Sequence, residues 1–134
     1  MNYLLDTNIC IYYFKGQFGL KEKIEEKGFQ EFAISEITLA ELIYGAEKSQ
    51  WKEQNLKVVE DFADKITIIP ILTSIRIYGK EKARLKTKGK IISDLDLFIG
   101  ATSIVNDMIL VTRNTKEFER LNDIKLENWI DFQE

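Results

Sequence analysis

"NYLLDTNICIYYFKG", residues 2–16, is the stretch that decides the fold. Residues 2–5 are a short apolar run with the length of a buried strand, and residues 7–16 read as a helix that stops at Gly16. Asp6 stands between them. A strand that gives way at once to a helix is the unit of an α/β fold, and in an open parallel sheet ligands bind just beyond the carboxyl ends of the strands. Asp6 is therefore either at a functional address or a helix cap. Thr7 or Asn8 could also supply the cap, leaving Asp6 as a solvated turn residue.

The same alternation continues along the chain. "LKEKIEEKG" (20–28) is an amphipathic helix stopped by Gly28, "EFAI" (31–34) a strand, and Ser35 the cap of a helix reaching about Lys48. Residues 51–65 supply that helix with an antiparallel partner, and "ITIIP" (66–70) is a third strand. Helical patterns at 73–88 and 94–106 precede the strand "MILVT" (108–112), a turn of helix in "NTKEFER" (114–120) and an edge strand near "IKLEN" (124–128). The expected class is α/β with a central, mostly parallel sheet. No repeat, low-complexity tract or linker divides the chain, so one domain over residues 1–134 is expected.

Composition removes several kinds of chemistry. The 134 residues are 45% hydrophobic, enough for a real core. The longest apolar stretches fall short of the roughly 20 residues that a membrane span requires, and nothing at the N-terminus resembles an export signal, so the cytoplasm is the expected compartment. Cys10 is the only cysteine and there is no histidine, which excludes an internal disulfide, a Cys-rich zinc site and the commonest general base. Chemistry must rest on carboxylates, hydroxyls or lysines.

Two further acids stand out. Glu41 in "SEITLAELIYGAEK" lies among Ile37, Leu39, Ala40, Leu42 and Ile43, near the buried side of its helix with Ile37 and Tyr44 above and below. A carboxylate there needs a salt bridge, a route to water or a metal. Asp96 in "SDLDLFIGATSIV" (93–105) opens an apolar helix and shares a face with Ile99, Gly100 and Ser103; the small Gly100 and Ala101 would admit a close backbone neighbour. Asp94 could cap this helix, and Ser93 with Asp96 also fits an S-x-x-D capping box. Each acid has an ordinary structural use. Converging carboxylates, however, raise one another's pKa unless a hard cation sits between them, and Mg²⁺ or Mn²⁺ suits such oxygen ligands.

The net charge of −3 is unevenly spread: "KEKARLKTKGK" (80–90) carries six Lys/Arg against one Glu, a local +5 that leaves −8 elsewhere. Such a run is either a solvated helix face or a phosphate-contacting one.

"LLDTNICIYYFKG", "ITLAELIYGAEKSQ", "DLDLFIGATSI" and "LVTRNTKEFERLNDIKLENW", in this order and spacing, resemble the PIN-domain ribonucleases, and within them the VapC-type toxins of bacterial toxin–antitoxin pairs. The resemblance runs nearly end to end. It implies a three-layer α/β/α fold with metal-binding acids at Asp6, Glu41 and Asp96, and a fourth catalytic acid carried to Glu117. Thr7, Asn8, Asp94, Thr112 and Asn114 are implied as supporting residues. The implied activity is Mg²⁺-dependent hydrolysis of phosphodiester bonds in structured RNA, with tRNA and the initiator anticodon region among the expected targets. A homodimer and a VapB-like antitoxin that occludes the acidic site are implied as well. Lys82, Arg84, Lys86, Lys88 and Lys90 would then hold flanking RNA phosphates.

Three rival classes share some of these features. A phosphatase of the haloacid-dehalogenase type needs a second Asp where Asn8 stands. A receiver-like signalling domain needs an acidic pair at the first strand and another Asp ending the third, which "ITIIP" lacks. A non-cutting PIN-like binding module has no need of Asp6, Glu41 and Asp96 together.

Overall fold

The protein is described from a computed structural model covering residues 1–130, so the last four positions of the expected 1–134 domain lie outside the described residues. Strands β1 (Tyr3–Leu5), β2 (Phe32–Ser35), β3 (Thr67–Ile69), β4 (Ile109–Val111) and β5 (Lys125–Glu127) form one sheet in the order β3-β2-β1-β4-β5. Every neighbouring pair is parallel, with Leu4 opposite both Ala33 and Leu110. The helices are α1 (Thr7–Phe14), α2 (Leu20–Lys27), α3 (Glu36–Glu47), α4 (Lys52–Lys65), α5 (Ile75–Thr87), α6 (Asp94–Val105) and the single turn α7 (Thr115–Phe118).

Strand alternation sorts the core into two layers. Tyr3 and Leu5 point to the side where Ile9, Leu20, Ile24, Leu42 and Phe62 of α1–α4 pack, while Leu4 points to Leu85, Leu97, Ile99 and Phe118 of α5–α7. A central parallel strand buried on both faces must be apolar throughout, which is why residues 3–5 read as a continuous run. Each fully buried Leu or Ile contributes about 1.5–3 kcal/mol. The three-layer α/β/α expectation holds.

Local chemistry fixes most boundaries. Ser35 both ends β2 and caps α3, its Oγ accepting from Ile37 N–H at 3.0 Å. Residues 29–31 tighten into a 3₁₀ turn, so β2 starts at Phe32 rather than at residue 31. Gly28 ends α2 at φ +91°, a backbone region closed to other residues in practice. The helix expected from about residue 73 begins at Ile75, because Ser74 N–H donates to Ile71 O at 2.9 Å and closes a 3₁₀ turn first, with the Ser74 hydroxyl donating to the same carbonyl at 2.6 Å. Gly100 admits side chains, not a backbone: Leu121, Phe118 and Ile124 occupy the space where its Cβ would stand.

The topology places the site. From β1 the sheet grows to β2 and β3 on one side and to β4 and β5 on the other, so the strand order reverses between β1 and β4. The crevice beyond the carboxyl ends of these two strands is where open α/β sheets bind ligands. Asp6 follows β1 and donates its backbone N–H to Val111 O, at the end of β4, at 3.0 Å.

Candidate functional site

Both readings of Asp6 are true at once. It caps α1, with Oδ1 accepting from Thr7 N–H at 2.8 Å, and its Oδ2 accepts from the Thr112 hydroxyl at 2.8 Å across the switch point. The side chain is 6% exposed. Burial raises its pKa, the bonds from Thr112 and Thr7 oppose that rise, and the charges of Glu41 and Glu117 add to it. Thr7 carries the network onward, its hydroxyl donating to Glu41 Oε1 at 2.6 Å and lying 3.2 Å from the Thr38 hydroxyl.

Glu41 is half-buried, on the flank of α3 rather than on its inner seam. That seam is Thr38, Leu42 and Ala46; Ala40 is exposed and Tyr44 is 64% exposed, so the expected apolar surround is one-sided. The bonded partner of Glu41 is the Thr7 hydroxyl in place of a lysine or arginine. Beside it a cleft of about 440 Å³ opens between α1, α3 and α4, lined by Ile11, Phe14, Leu42 and Val59 among others.

Ser93 caps α6, its Oγ accepting from Asp96 N–H at 3.3 Å, so the cap is Ser93 and not Asp94. Asp96 has a pKa raised to about 6, first by burial and then by the charges of Asp6, Glu117 and Glu41, with Ser93 opposing. Asn114 N–H donates to Thr112 Oγ1 at 3.0 Å, and its side-chain amide donates to Glu117 Oε2 at 2.9 Å. Four carboxylates from four segments thus act on one another electrostatically, each oriented by a neighbouring hydroxyl, amide or cap.

The donor set fits a hard divalent cation. All four groups are carboxylates, and the Cys10 thiol is buried with its pKa pushed up, so no thiolate competes. Mutual repulsion on Asp6 and Asp96 is the electrostatic strain that a dication relieves. Among the described residues no three His, Cys, Asp or Glu groups stand close enough to enclose an ion by themselves. An open arrangement of this kind suits an ion that keeps several waters, as Mg²⁺ does.

The family model described as PIN domain matches residues 3–124. The chain belongs to the PIN-domain family. Its relatives within that family include "Ribonuclease VapC2" of Haemophilus influenzae, 38% identical over 132 residues, covering 97% of this chain and 99% of the relative. The "tRNA(fMet)-specific endonuclease VapC" of Salmonella typhimurium is 38% identical over 133 residues, covering 96% and 98%. Among solved PIN-domain structures, the DNA-bound VapBC complex of Salmonella typhimurium matches with a TM-score of 0.89 at 35% identity, covering 96% of this chain and 98% of that one. VapBC2 of Rickettsia felis bound to a promoter DNA fragment matches at 0.87 and 38% identity, covering 96% and 99%.

Of the residues expected to support this site or to contact RNA, Asp94, Lys82 and Arg84 have partners of their own. Asp94 accepts from the Tyr78 hydroxyl at 2.9 Å and pairs with Lys82 at 2.8 Å, and these contacts, not the other acids, hold its pKa down. Asn8 is exposed. The basic stretch is split by the helical period of α5. Glu81, 3% exposed, faces inward; Arg84 clamps it with two bonds of 2.8 and 2.9 Å, and Asn122 N–H adds a third at 2.7 Å. Arg84 also donates to Arg120 O at 2.6 Å, so it ties α5 to the loop before β5. Lys82 is taken by Asp94, which leaves Lys86, Lys88 and Lys90 as the exposed cations of the expected set without an ion pair among the described residues. Sequence reasoning missed Thr38, a fully buried hydroxyl whose only hint was a polar residue on an apolar seam. Among the described residues, no helix is long and apolar enough to cross a membrane.

Proposed function

We propose that the chain is a metal-dependent endoribonuclease toxin of a toxin–antitoxin pair, hydrolysing phosphodiester bonds in structured RNA at the Asp6–Glu41–Asp96–Glu117 cluster. The observation that carries this reading is the buried Asp6 at the β1/β4 switch point, bonded to Thr112 and Thr7, with Thr7 in turn bonded to Glu41, in a chain without histidine. The names of its relatives as VapC ribonucleases and a tRNA(fMet)-specific endonuclease supply the substrate class, with initiator tRNA the first target to examine.

Mg²⁺, or Mn²⁺ in its place, would be held by Asp6, Glu41 and Asp96, with Glu117 as the fourth acid. Such an ion supplies Lewis-acid stabilisation of the scissile phosphate and lowers the pKa of a water. The chain's own residues do the positioning. Thr112 and the α1 amide fix both oxygens of Asp6, Thr7 aims Glu41, and Asn114 holds Glu117. This preorganisation costs no rearrangement during the reaction. An acidic pocket repels RNA until a dication neutralises it, so ion and substrate binding are coupled.

The VapBC complexes among its structural neighbours support a VapB-like antitoxin as partner, acting by occlusion of this site in the cytoplasm. The apolar cleft beside Glu41 offers that antitoxin a place to bury side chains next to this acid. A homodimer is proposed as the working form. Sequencing RNA 5′ ends after brief expression in a bacterium tests the function: new ends at defined positions, absent with Asp6→Asn, support it, and an unchanged set of ends contradicts it.

A further inference from the structure

Helix α5 grips the first turn of α6 through four side chains. The Tyr78 ring of α5 lies flat on Phe98 of α6, with centroids 3.9 Å apart and planes within 4° of parallel. Its hydroxyl donates to Asp94 Oδ1 at 2.9 Å. Lys82, one turn further along α5, pairs with the same oxygen at 2.8 Å and donates to the Tyr78 hydroxyl at 3.2 Å. Tyr78 and Phe98 are half-buried, so the stack lies between the helices and not out in solvent.

Helical geometry connects this group to the acids. At about 100° per residue, Asp94 and Phe98 stand on one face of α6 and Asp96 on the opposite one. The N–H groups of a helix's first turn have no intrahelical partner, so the cap and the neighbours set its direction. Here the cap is Ser93, and Tyr78 and Lys82 hold the turn from α5. Asp6, Glu41 and Glu117 are each aimed by a bond to their own carboxylate. Asp96 is bracketed instead by the two residues that Tyr78 grips, and any swing of this turn carries its carboxylate with it.

We propose that Tyr78, assisted by Lys82, is a positioning residue for the metal ligand Asp96, its ring on Phe98 and its hydroxyl on Asp94 fixing the first turn of α6 so that Asp96 is set at the acidic site before an ion arrives. This role rests on the metal-dependent reading of the acids proposed above. Partners that orient a ligand typically matter 10–100-fold in metal affinity, and Tyr78 acts one step further out, so about five- to tenfold is expected.

Mn²⁺ titration of the metal-free protein reads this without RNA, the electron paramagnetic signal of free Mn²⁺ giving the dissociation constant at a temperature well below each variant's melting midpoint. Tyr78→Ala should weaken Mn²⁺ binding by about five- to tenfold and raise the Mg²⁺ concentration for half-maximal RNA cleavage equally, with kcat and KM for RNA recovering at saturating Mg²⁺. Tyr78→Phe keeps the ring and loses only the hydroxyl, and should fall between Tyr78→Ala and wild type. Phe98→Leu keeps an apolar side chain but removes the stack, and should weaken Mn²⁺ binding as well; it and Tyr78→Phe carry the comparison if Tyr78→Ala does not fold. None of these substitutions changes the charge, so altered affinity reports geometry. A lowered melting temperature with wild-type Mn²⁺ affinity makes Tyr78 a packing residue alone and overturns the proposal. Weakened RNA binding with Mn²⁺ affinity intact overturns it too. A wild-type protein that takes up no Mn²⁺ and cuts no RNA overturns the underlying reading and this role with it. A wild type that does both beside a Tyr78→Ala of equal Mn²⁺ affinity overturns this role alone.

Discussion

Asp96→Asn should stabilise the metal-free protein at neutral pH and abolish its function. In the fold Asp96 has a pKa of about 6 against an ordinary 3.8, so the native state binds this proton more tightly than the unfolded chain does. The stability tied to the group is therefore fully present below about pH 3.8 and is lost as the pH rises through about 6. At 1.36 kcal/mol per unit the shift corresponds to roughly 3 kcal/mol, and solvent screening at a half-buried carboxylate cuts this to about 1–2 kcal/mol. An amide of the same shape escapes the loss. In a chain of this size the gain is about 3–8 °C in melting temperature at pH 8 in EDTA, shrinking toward zero at pH 4. Added Mg²⁺ should reverse the order, since an ion that binds only the folded wild type stabilises it by about 1.4 kcal/mol for each tenfold excess over its Kd. Thermal melts of both proteins across this pH range, with EDTA and with Mg²⁺, measure the whole pattern. Equal melting temperatures at pH 8 in EDTA, or an advantage that persists undiminished at pH 4, would refute the electrostatic reasoning.

Other perturbations separate positioning from packing. Thr7→Val removes the 2.6 Å bond to Glu41 and should reduce RNA cleavage by about 10–100-fold, with Thr7→Ser retaining most of it; cleavage assays over a range of Mg²⁺ check both. Gly100→Ala places a methyl group against Leu121 and should destabilise the fold by about 1–3 kcal/mol in urea unfolding, a loss that Leu121→Ala in the same chain should partly relieve. Arg84→Ala leaves the buried Glu81 without its cation and should lower the melting temperature, most clearly above the carboxylate range because Arg84 holds the Glu81 pKa down. Joint replacement of Lys86, Lys88 and Lys90 by Ala should leave the melting temperature alone and weaken RNA binding in a salt-dependent way.

What the sequence made legible was local. A strand of three or four apolar residues, an Asp at its end and a helix behind it are one contiguous pattern, so Asp6 and the parallel sheet could be read together. The caps Ser35 and Ser93 followed from side chains that bond two or three residues ahead. Contacts spanning long separations were not legible. Thr112 reaches Asp6 across 106 positions and Thr7 reaches Thr38 across 31; the family resemblance marked both Thr7 and Thr112 as supporting residues without naming the partners they bond. The internal partners of Lys82 and Arg84 in the basic stretch were hidden for a related reason. A charge count treats Lys82, Arg84 and Lys86 as one surface, whereas a helix turns alternate residues to different sides, and the loop at residues 120–122 rewarded Arg84 and Glu81 for facing inward. The small size of Gly100 was correctly marked, but only the fold supplied Leu121 and Phe118 as its neighbours.

The central claim is that the four-carboxylate cluster works through a divalent cation to cut RNA. The most direct measurement incubates the purified protein with initiator tRNA in Mg²⁺, Mn²⁺ or EDTA, beside Asp96→Asn, and maps the product ends. The account predicts cleavage at a defined position with Mg²⁺ or Mn²⁺, none in EDTA and none from the variant. Cleavage that continues in EDTA, or a variant that cuts at the wild-type rate, would contradict it.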